Sequence, residues 1–289
     1  MTKKIKLFSI LCGFVALGGC FPLVALTTNC GGKANEYTAF NGTQWTGYVS
    51  GKLTTDNFQV DEDNHIVTYV SNATLKDQHY FANNLIIPDH ILYNGDEYTV
   101  HIGPEAFNFL YSGVALTGTV TLPTTLQTIE TDAFGYQENL TNVIFPDTLT
   151  TISSFAFQGC GLTSITFNNA LQTIGTSSFQ GCSSLTGTLS FPSTIQTIQE
   201  HSFDGCSSLS ELALPTPSVS IAAYIVNGCS SITSIVGSYL HNFTPSSIQA
   251  NAFSGLPSLG TVSNSVAGMS SGDLLTMLIS KGLPNTWTI

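Results

Sequence analysis

The sequence predicts a β-rich solenoid, with coils of 22–28 residues stacked on a parallel sheet. A small β-rich segment precedes the coils and a helical cap follows them. Two observations carry this prediction. First, one pattern is written three times in succession: NLTNVIFPDTLTTISSFAFQGC, GLTSITFNNALQTIGTSSFQGC and SLTGTLSFPSTIQTIQEHSFDGC. Second, Phe134, Phe157, Phe179 and Phe203 fall at intervals of 23, 22 and 24, while Cys160, Cys182, Cys206 and Cys229 fall at 22, 24 and 23. A period in the low twenties that survives in several residue types marks stacked repeats rather than chance similarity. On this reading residues 1–30 are an export signal and anchor, 31–85 a β-rich segment, 86–265 the solenoid and 266–289 the cap.

The N-terminus reads as an address. Met1 to Lys6 is basic, Ile5 to Leu17 is an apolar run of 13 residues, and Leu17-Gly-Gly-Cys20 follows. A charged start, an apolar run of this length and small residues before the cut describe a bacterial export signal. The Leu-Gly-Gly-Cys ending resembles a lipobox, which implies lipid attachment at Cys20. Phe21 to Leu26 continues the apolar run, however, where a polar stretch is usual. Cys30, preceded by Thr27-Thr28-Asn29, is one alternative, and an uncleaved membrane anchor is another. A diacyl or triacyl cysteine holds firmly to a membrane, whereas one acyl chain binds weakly.

The charge balance then excludes whole classes of partner. All seven basic residues are lysines, three of them in the first six positions, and all 18 acids lie after residue 30. Such a chain cannot supply the basic surface that phosphate backbones require, so nucleic acid is excluded. With 42% apolar and only 9% charged residues, the chain has enough apolar material to avoid disorder.

Residues 31–105 carry ten of the acids and no repeat. Thr43–Val49 and His65–Val70 alternate in polarity, which predicts half-exposed strands. Asp61-Glu-Asp-Asn64 lacks the spacing, glycine and distal glutamate of a calcium loop, so it reads as a solvated turn. Two apolar strands flank Tyr93-Asn-Gly-Asp96, a hairpin signal. His101-Ile-Gly-Pro-Glu-Ala-Phe107 then matches the second half of the later repeat.

At this point a family resemblance becomes specific. The "IP…YNG…YTV…IG…AF" opening, followed by "F.GCSSLT.I..P..L.TI", resembles bacterial surface proteins with BspA-type leucine-rich repeats over about residues 86–262. The resemblance implies leucine-rich repeat coils, display at the cell surface and a role in adhesion.

Within one coil, Ile165 and Phe167 share a strand face, as do Leu189 with Phe191 and Val143 with Phe145. Pro146, Pro192 and Pro215 end those strands. Leu149/Ile152, Leu171/Ile174 and Ile195/Ile198 form a second apolar wall, and Phe157, Phe179 and Phe203 close the interior. The extra glycine-bearing residue in Leu116–Val120 and Leu185–Leu189 predicts a bulge. Gly237 to Pro245 is inserted material, Ile248 and Phe253 restore the pattern, and Leu259 with Val262 ends it. Ser271 to Lys281 has helical spacing, with Ser271 as N-cap and Gly282 then Pro284 as the stop.

Cysteines that recur once per coil stand about 4.8 Å apart and point the same way, whereas a disulfide needs convergent Cβ atoms about 3.8 Å apart. They read as buried free thiols that fill space beside the Gly-Cys turn. The six histidines are scattered, with His201 in a repeat turn. There is no Gly-x-Ser-x-Gly elbow or phosphate loop, and neither a catalytic residue, a metal nor a cofactor is implied.

What remains is a flat face of hydroxyl side chains at the outward strand positions: Thr141, Thr163, Ser164, Thr166, Thr188 and Ser190, with Glu211. Solenoid faces of this kind bind extended partners. The expectation is therefore a lipid-anchored protein at the cell membrane, facing the extracellular side, that binds a protein of the host or of a neighbouring cell. The alternative is a structural or antigenic surface-coat lipoprotein without a dedicated ligand.

Overall fold

The computed structural model describes residues 37–38, 44–45, 58–69, 80–93, 96–112, 114–215, 219–237, 248–264 and 270–289. The expected export signal, most of Thr43–Val49 and all of the inserted Gly237–Pro245 stretch but Gly237, which ends a strand, lie outside them.

The N-terminal part is built from short strands. β1 (Tyr37–Thr38) and β2 (Gln44–Trp45) pair antiparallel. β3 (Phe58–Asp61) and β4 (Ile66–Tyr69) form a hairpin. Its turn is the acidic stretch, where the Asn64 amides donate to the Asp61 carboxylate at 3.1 and 2.9 Å. The side-chain bond from Asn64 lowers the Asp61 pKa. β5 (Tyr80–Asn83) leaves this group, whereas β6 (His90–Tyr93) and β7 (Asp96–Ile102) make the hairpin expected at Asn94-Gly95, with Tyr93 opposite Asp96. β4 lies parallel to β7, so the sheet runs β3-β4-β7-β6.

After a short helix α1 (Phe109–Ser112), the chain enters the coils at β8 (Val114–Thr121), to which β5 pairs in parallel. Each coil then contributes a two-residue Thr-Ile strand or its Ser-Ile equivalent, starting with β9 (Thr128–Ile129), and most contribute a longer strand as well. The sequence runs β10 (Leu140–Ile144), β11 (Thr151–Ile152), β12 (Thr173–Ile174), β13 (Gly187–Leu189), β14 (Thr197–Ile198), β15 (Leu209–Leu214), β16 (Ser220–Ile221), β17 (Ser234–Gly237) and β18 (Thr261–Asn264). The structure is thus a parallel-strand β-solenoid. In the short ladder β9-β11-β12-β14-β16, hydroxyl stands opposite hydroxyl and isoleucine opposite isoleucine. Every one of those isoleucines is buried.

The longer strands form two ladders, β10-β8-β5 and β13-β15-β17-β18. The register slips beside both glycines of the predicted bulges, Gly118 and Gly187, which have positive φ, but the residue left unpaired lies on the following strand: Thr141 of β10 and Ser210 of β15, not in the glycine-bearing segments as expected. Between the two ladders, Leu162–Phe167 was expected to be a strand and is not. Single bonds from Thr163 N to Thr141 O (3.0 Å) and from Thr186 N to Thr163 O (3.1 Å) hold it in line. The cause is local length. This coil has one residue between Cys160 and Leu162 where the next has two, and the next also slips in register beside Gly187. Carbonyls on either side therefore fall out of step.

Inside, Phe107, Phe134, Phe157, Phe179 and Phe203 stack into one column with centroids 5.1–5.3 Å apart and planes within 11°. Each stacked pair adds about 0.5–1.5 kcal/mol beyond its area burial. Half-buried Phe145, Phe167 and Phe191 form a second column, 6.1–6.2 Å apart and edge-on to the first.

Two residues before the column position, one residue per coil is left-handed: Glu105, Asp132, Phe155, Ser177, His201, Tyr224 and Asn251, with φ between 52° and 63°. That conformation is uncommon without glycine. It is held from coil to coil because the strained residue donates its N–H to the next coil, as Asp132 does to Ser154 O and His201 to Ala223 O.

α2 (Ser271–Ser280) covers the last coil. Its N-cap is Ser270, not Ser271: the Ser270 hydroxyl accepts from Asp273 N at 3.0 Å. Leu274, Leu278 and Leu283 face the core, and Gly282 ends the helix at φ +100°. A second difference concerns Leu259, which the repeat assigns to the core. It is 70% exposed, and Trp287 is buried against the backbone at Gly260 instead.

Candidate interaction face

The outward positions of the long strands form three columns along the solenoid. The first is Thr141, Thr163, Thr186 and Ser210. Their hydroxyls donate to the preceding coil, to Gly118 O (3.0 Å), Thr141 O (3.2 Å), Thr163 O (3.0 Å) and Gly187 O (3.2 Å). The second is Ser164, Thr188, Glu211 and Ser234. Here Thr188 Oγ1 donates to Glu211 Oε1 at 3.1 Å and Ser234 Oγ to Oε2 at 2.8 Å. The third is Ile144, Thr166, Ser190, Ala213 and Val236, with Ile144 51% exposed.

Thr141, Thr163, Ser164, Thr166, Thr188 and Ser190 are all exposed and Glu211 is half-buried, so the structure brings the predicted residues onto one side. It also divides them. Thr141 and Thr163 serve the backbone of their neighbours, whereas Ser164, Thr166 and Ser190 keep exposed side chains. Ser234, also an outward strand position in the sequence pattern, stands directly opposite Glu211 and completes its cradle.

The opposite edge holds a polar row that the spacing of histidines did not reveal. His201 Nδ1 lies 2.9 Å from Asp204 Oδ2, Asn227 Nδ2 donates to Asp204 Oδ1 at 2.9 Å, and the His201 ring stacks on Tyr224 at 5.1 Å. Further along, Tyr136 OH donates to Gln158 Oε1 (2.9 Å), and Gln158 Nε2 to Gln180 Oε1 (2.8 Å). Residues at the same place in successive coils meet, even when their types differ.

Cys160, Cys182, Cys206 and Cys229 are free and buried, as the geometry of stacking requires. Each Sγ–H donates to a phenylalanine carbonyl of the preceding coil, at 3.0–3.2 Å. The thiols are thus donors as well as fillers. In the coil before Cys160, Gln137 takes the slot and donates to Phe107 O in the same way. Burial pushes the Cys182 and Cys229 thiols up to about 12, and those of Cys160 and Cys206 well above their ordinary value. Thiolate chemistry is suppressed at such sites. Among the described residues no group of three or more His, Cys, Asp or Glu side chains could hold a metal ion. Cys20 and Cys30 lie outside the described residues.

A leucine-rich repeat protein of T. pallidum is 20% identical, with a TM-score of 0.48 over 69% of this chain and 87% of that one. A leucine-rich repeat protein from Bacteroides ovatus is 16% identical, with a TM-score of 0.32 over 75% and 79%. A leucine-rich cell-surface protein from Faecalibacterium prausnitzii is 15% identical, with a TM-score of 0.29 over 83% and 98%. No protein of curated function matches in sequence. The family profile described as "BspA type Leucine rich repeat region" matches residues 100–233 and 186–266, in six copies. That match spans more than half of the chain. The chain therefore belongs to the BspA-type leucine-rich repeat family.

Proposed function

We propose that this chain is a lipid-anchored cell-surface protein that binds another protein through the hydroxyl face of its solenoid, as an interaction or adhesion module. The observation that carries the reading is the run of exposed Ser164, Thr166 and Ser190 beside exposed Ile144 and the cradled Glu211. An extended, nearly uncharged surface on a rigid array suits a protein partner, the usual ligand of leucine-rich repeats. Attachment through Cys20, or alternatively Cys30, would hold the array on the extracellular side of the cell membrane.

The test is binding of the full chain to immobilised extracellular-matrix proteins. Saturable binding that survives high salt and is lost in the Ser164→Lys, Thr166→Lys, Ser190→Lys triple variant supports the reading. An absence of binding at micromolar concentration sinks it. Mass spectrometry of the mature N-terminus tests the anchor, which is refuted if Cys20 and Cys30 are both unmodified.

A second reading, a structural or antigenic coat protein without a dedicated ligand, has one observation in its favour. The hydroxyls of Thr141, Thr163 and Thr186 are engaged within the solenoid. Threonine there serves the fold whether or not anything binds. The same triple variant separates the readings, since a coat protein would be indifferent to it.

A further inference from the structure

We propose that Glu211 is the docking point of this face and that it receives an arginine side chain from the protein partner. The inference rests on the reading of the hydroxyl face as a protein-binding surface, and it commits that surface to a partner of one chemistry.

Glu211 is the lone charge on the face. No other residue of β8, β10, β13, β15, β17 or β18 is charged. Its carboxylate is held at both ends, by Thr188 from the coil before and by Ser234 from the coil after. Both hydroxyls donate along the solenoid axis. An ionised carboxylate has about four acceptor positions, so about two remain for a ligand, with capacity on each oxygen.

Among the described residues the charge has no lysine or arginine partner. The sequence holds no lysine or arginine between residues 77 and 280, although 11 acids fall within residues 86–265. The ion pairs among the described residues join acids only to histidines, His90 to Glu97 and His201 to Asp204. The described coils thus leave this carboxylate open to complementary charge from a partner. A half-buried carboxylate is also less screened by salt than a fully exposed one.

Arginine fits this cradle better than lysine. A guanidinium presents paired N–H donors in one plane and can bond both carboxylate oxygens at once. Beside the cradle, Ala213 and Val236 stand opposite each other in the register and are half-buried. They offer an apolar shelf for the aliphatic stem of an arginine. A neutral ligand would cover the carboxylate without pairing it, and a covered unpaired charge opposes binding.

The test uses the full chain and three 12-residue peptides in which serine alternates with arginine, lysine or citrulline. Calorimetric titration at low salt is expected to show binding of the arginine peptide, weaker binding of the lysine peptide and none of the uncharged citrulline peptide. In Glu211→Gln the arginine peptide should bind about tenfold more weakly, the loss of one charge-assisted contact. Glu200→Gln, on another edge of the coil, should bind it as the unaltered chain does. The proposal is overturned if the arginine and citrulline peptides bind alike, if none binds, if Glu211→Gln matches the unaltered chain, or if Glu200→Gln weakens binding as much. The peptide comparison needs no variant, so a misfolded Glu211→Gln protein leaves the test intact. If Glu211→Gln keeps matrix-protein binding that the triple lysine variant loses, the face still binds protein and only the arginine assignment falls.

Discussion

Cys182 donates its thiol hydrogen to the Phe157 carbonyl at 3.2 Å, and Cys160, Cys206 and Cys229 repeat the contact one coil at a time. These thiols stay protonated in the folded chain, because burial raises Cys182 and Cys229 from 9.0 to about 12. In the unfolded chain they ionise near 9.0. Above that pH the folded state holds more protons, so stability falls as pH rises. The contribution is fully present below pH 9 and is lost progressively toward about 12. The urea midpoint should therefore drop above pH 9. Iodoacetamide at pH 8 should leave all four thiols unmodified until the chain is denatured; peptide mass mapping reads this, and labelling of native protein would contradict it. Gly161 is a second position where one residue decides. A Cβ there would lie 1.9 Å from the Glu138 carbonyl oxygen. Gly161→Ala should cost about 3 kcal/mol, as overpacking against backbone does. Ser183→Ala, in the same turn of the next coil, should stay within about 0.5 kcal/mol. Their urea midpoints test the contrast.

Among the elements, the C-terminal cap replaces the coil that would otherwise follow β18. Trp287 donates its indole N–H to Pro257 O at 2.8 Å, and the chain then pairs with the last strand through Val262 N to Thr288 O (2.7 Å) and Thr288 N to Gly260 O (3.0 Å). This closes an edge that would be open to another strand. A solenoid's stability is a sum of neighbouring terms, so damage at its end stays there. In Trp287→Ala the Val262 amide should lose hydrogen-exchange protection, while the amides of Phe157 and Phe179 keep theirs. Equal loss in both places would show that the cap stabilises the whole array.

For the whole molecule, the decisive feature is the absence of lysine and arginine from the coils. Acid cannot break ion pairs with those residues in the coils, and carboxylates that repel one another gain from protonation. Asp132 shows the sign. Burial, and then the charge of Glu105, raise its pKa above 3.8. A raised pKa in the folded state gives stability that is present at low pH and lost as pH rises through the folded value. Asp61 works in the opposite sense, but it sits in a fully exposed hairpin turn. The thermal midpoint of the full chain should therefore be at least as high at pH 4 as at pH 7, and added salt should raise it at pH 7 by screening. A clear fall at pH 4 would contradict this account.

The sequence by itself determined the period, the inward-facing residues and the free thiols, because each coil repeats the same burial problem and solves it with the same residue types. The pairing of β6 with β7 was legible for the same reason, because turn residues act locally, and the glycines marked where the register slips but not which strand carries the unpaired residue. Only the tertiary structure decided what depends on contact between coils. The one-residue difference at Gly161 leaves Leu162–Phe167 outside the ladders, and Trp287, 28 residues downstream in the chain, displaces Leu259 from its slot. The candidate face divides along the same line. The sequence marked its hydroxyls, but whether a hydroxyl turns back to a carbonyl, as Thr163 does, or cradles Glu211, as Thr188 does, is set by the neighbouring coil.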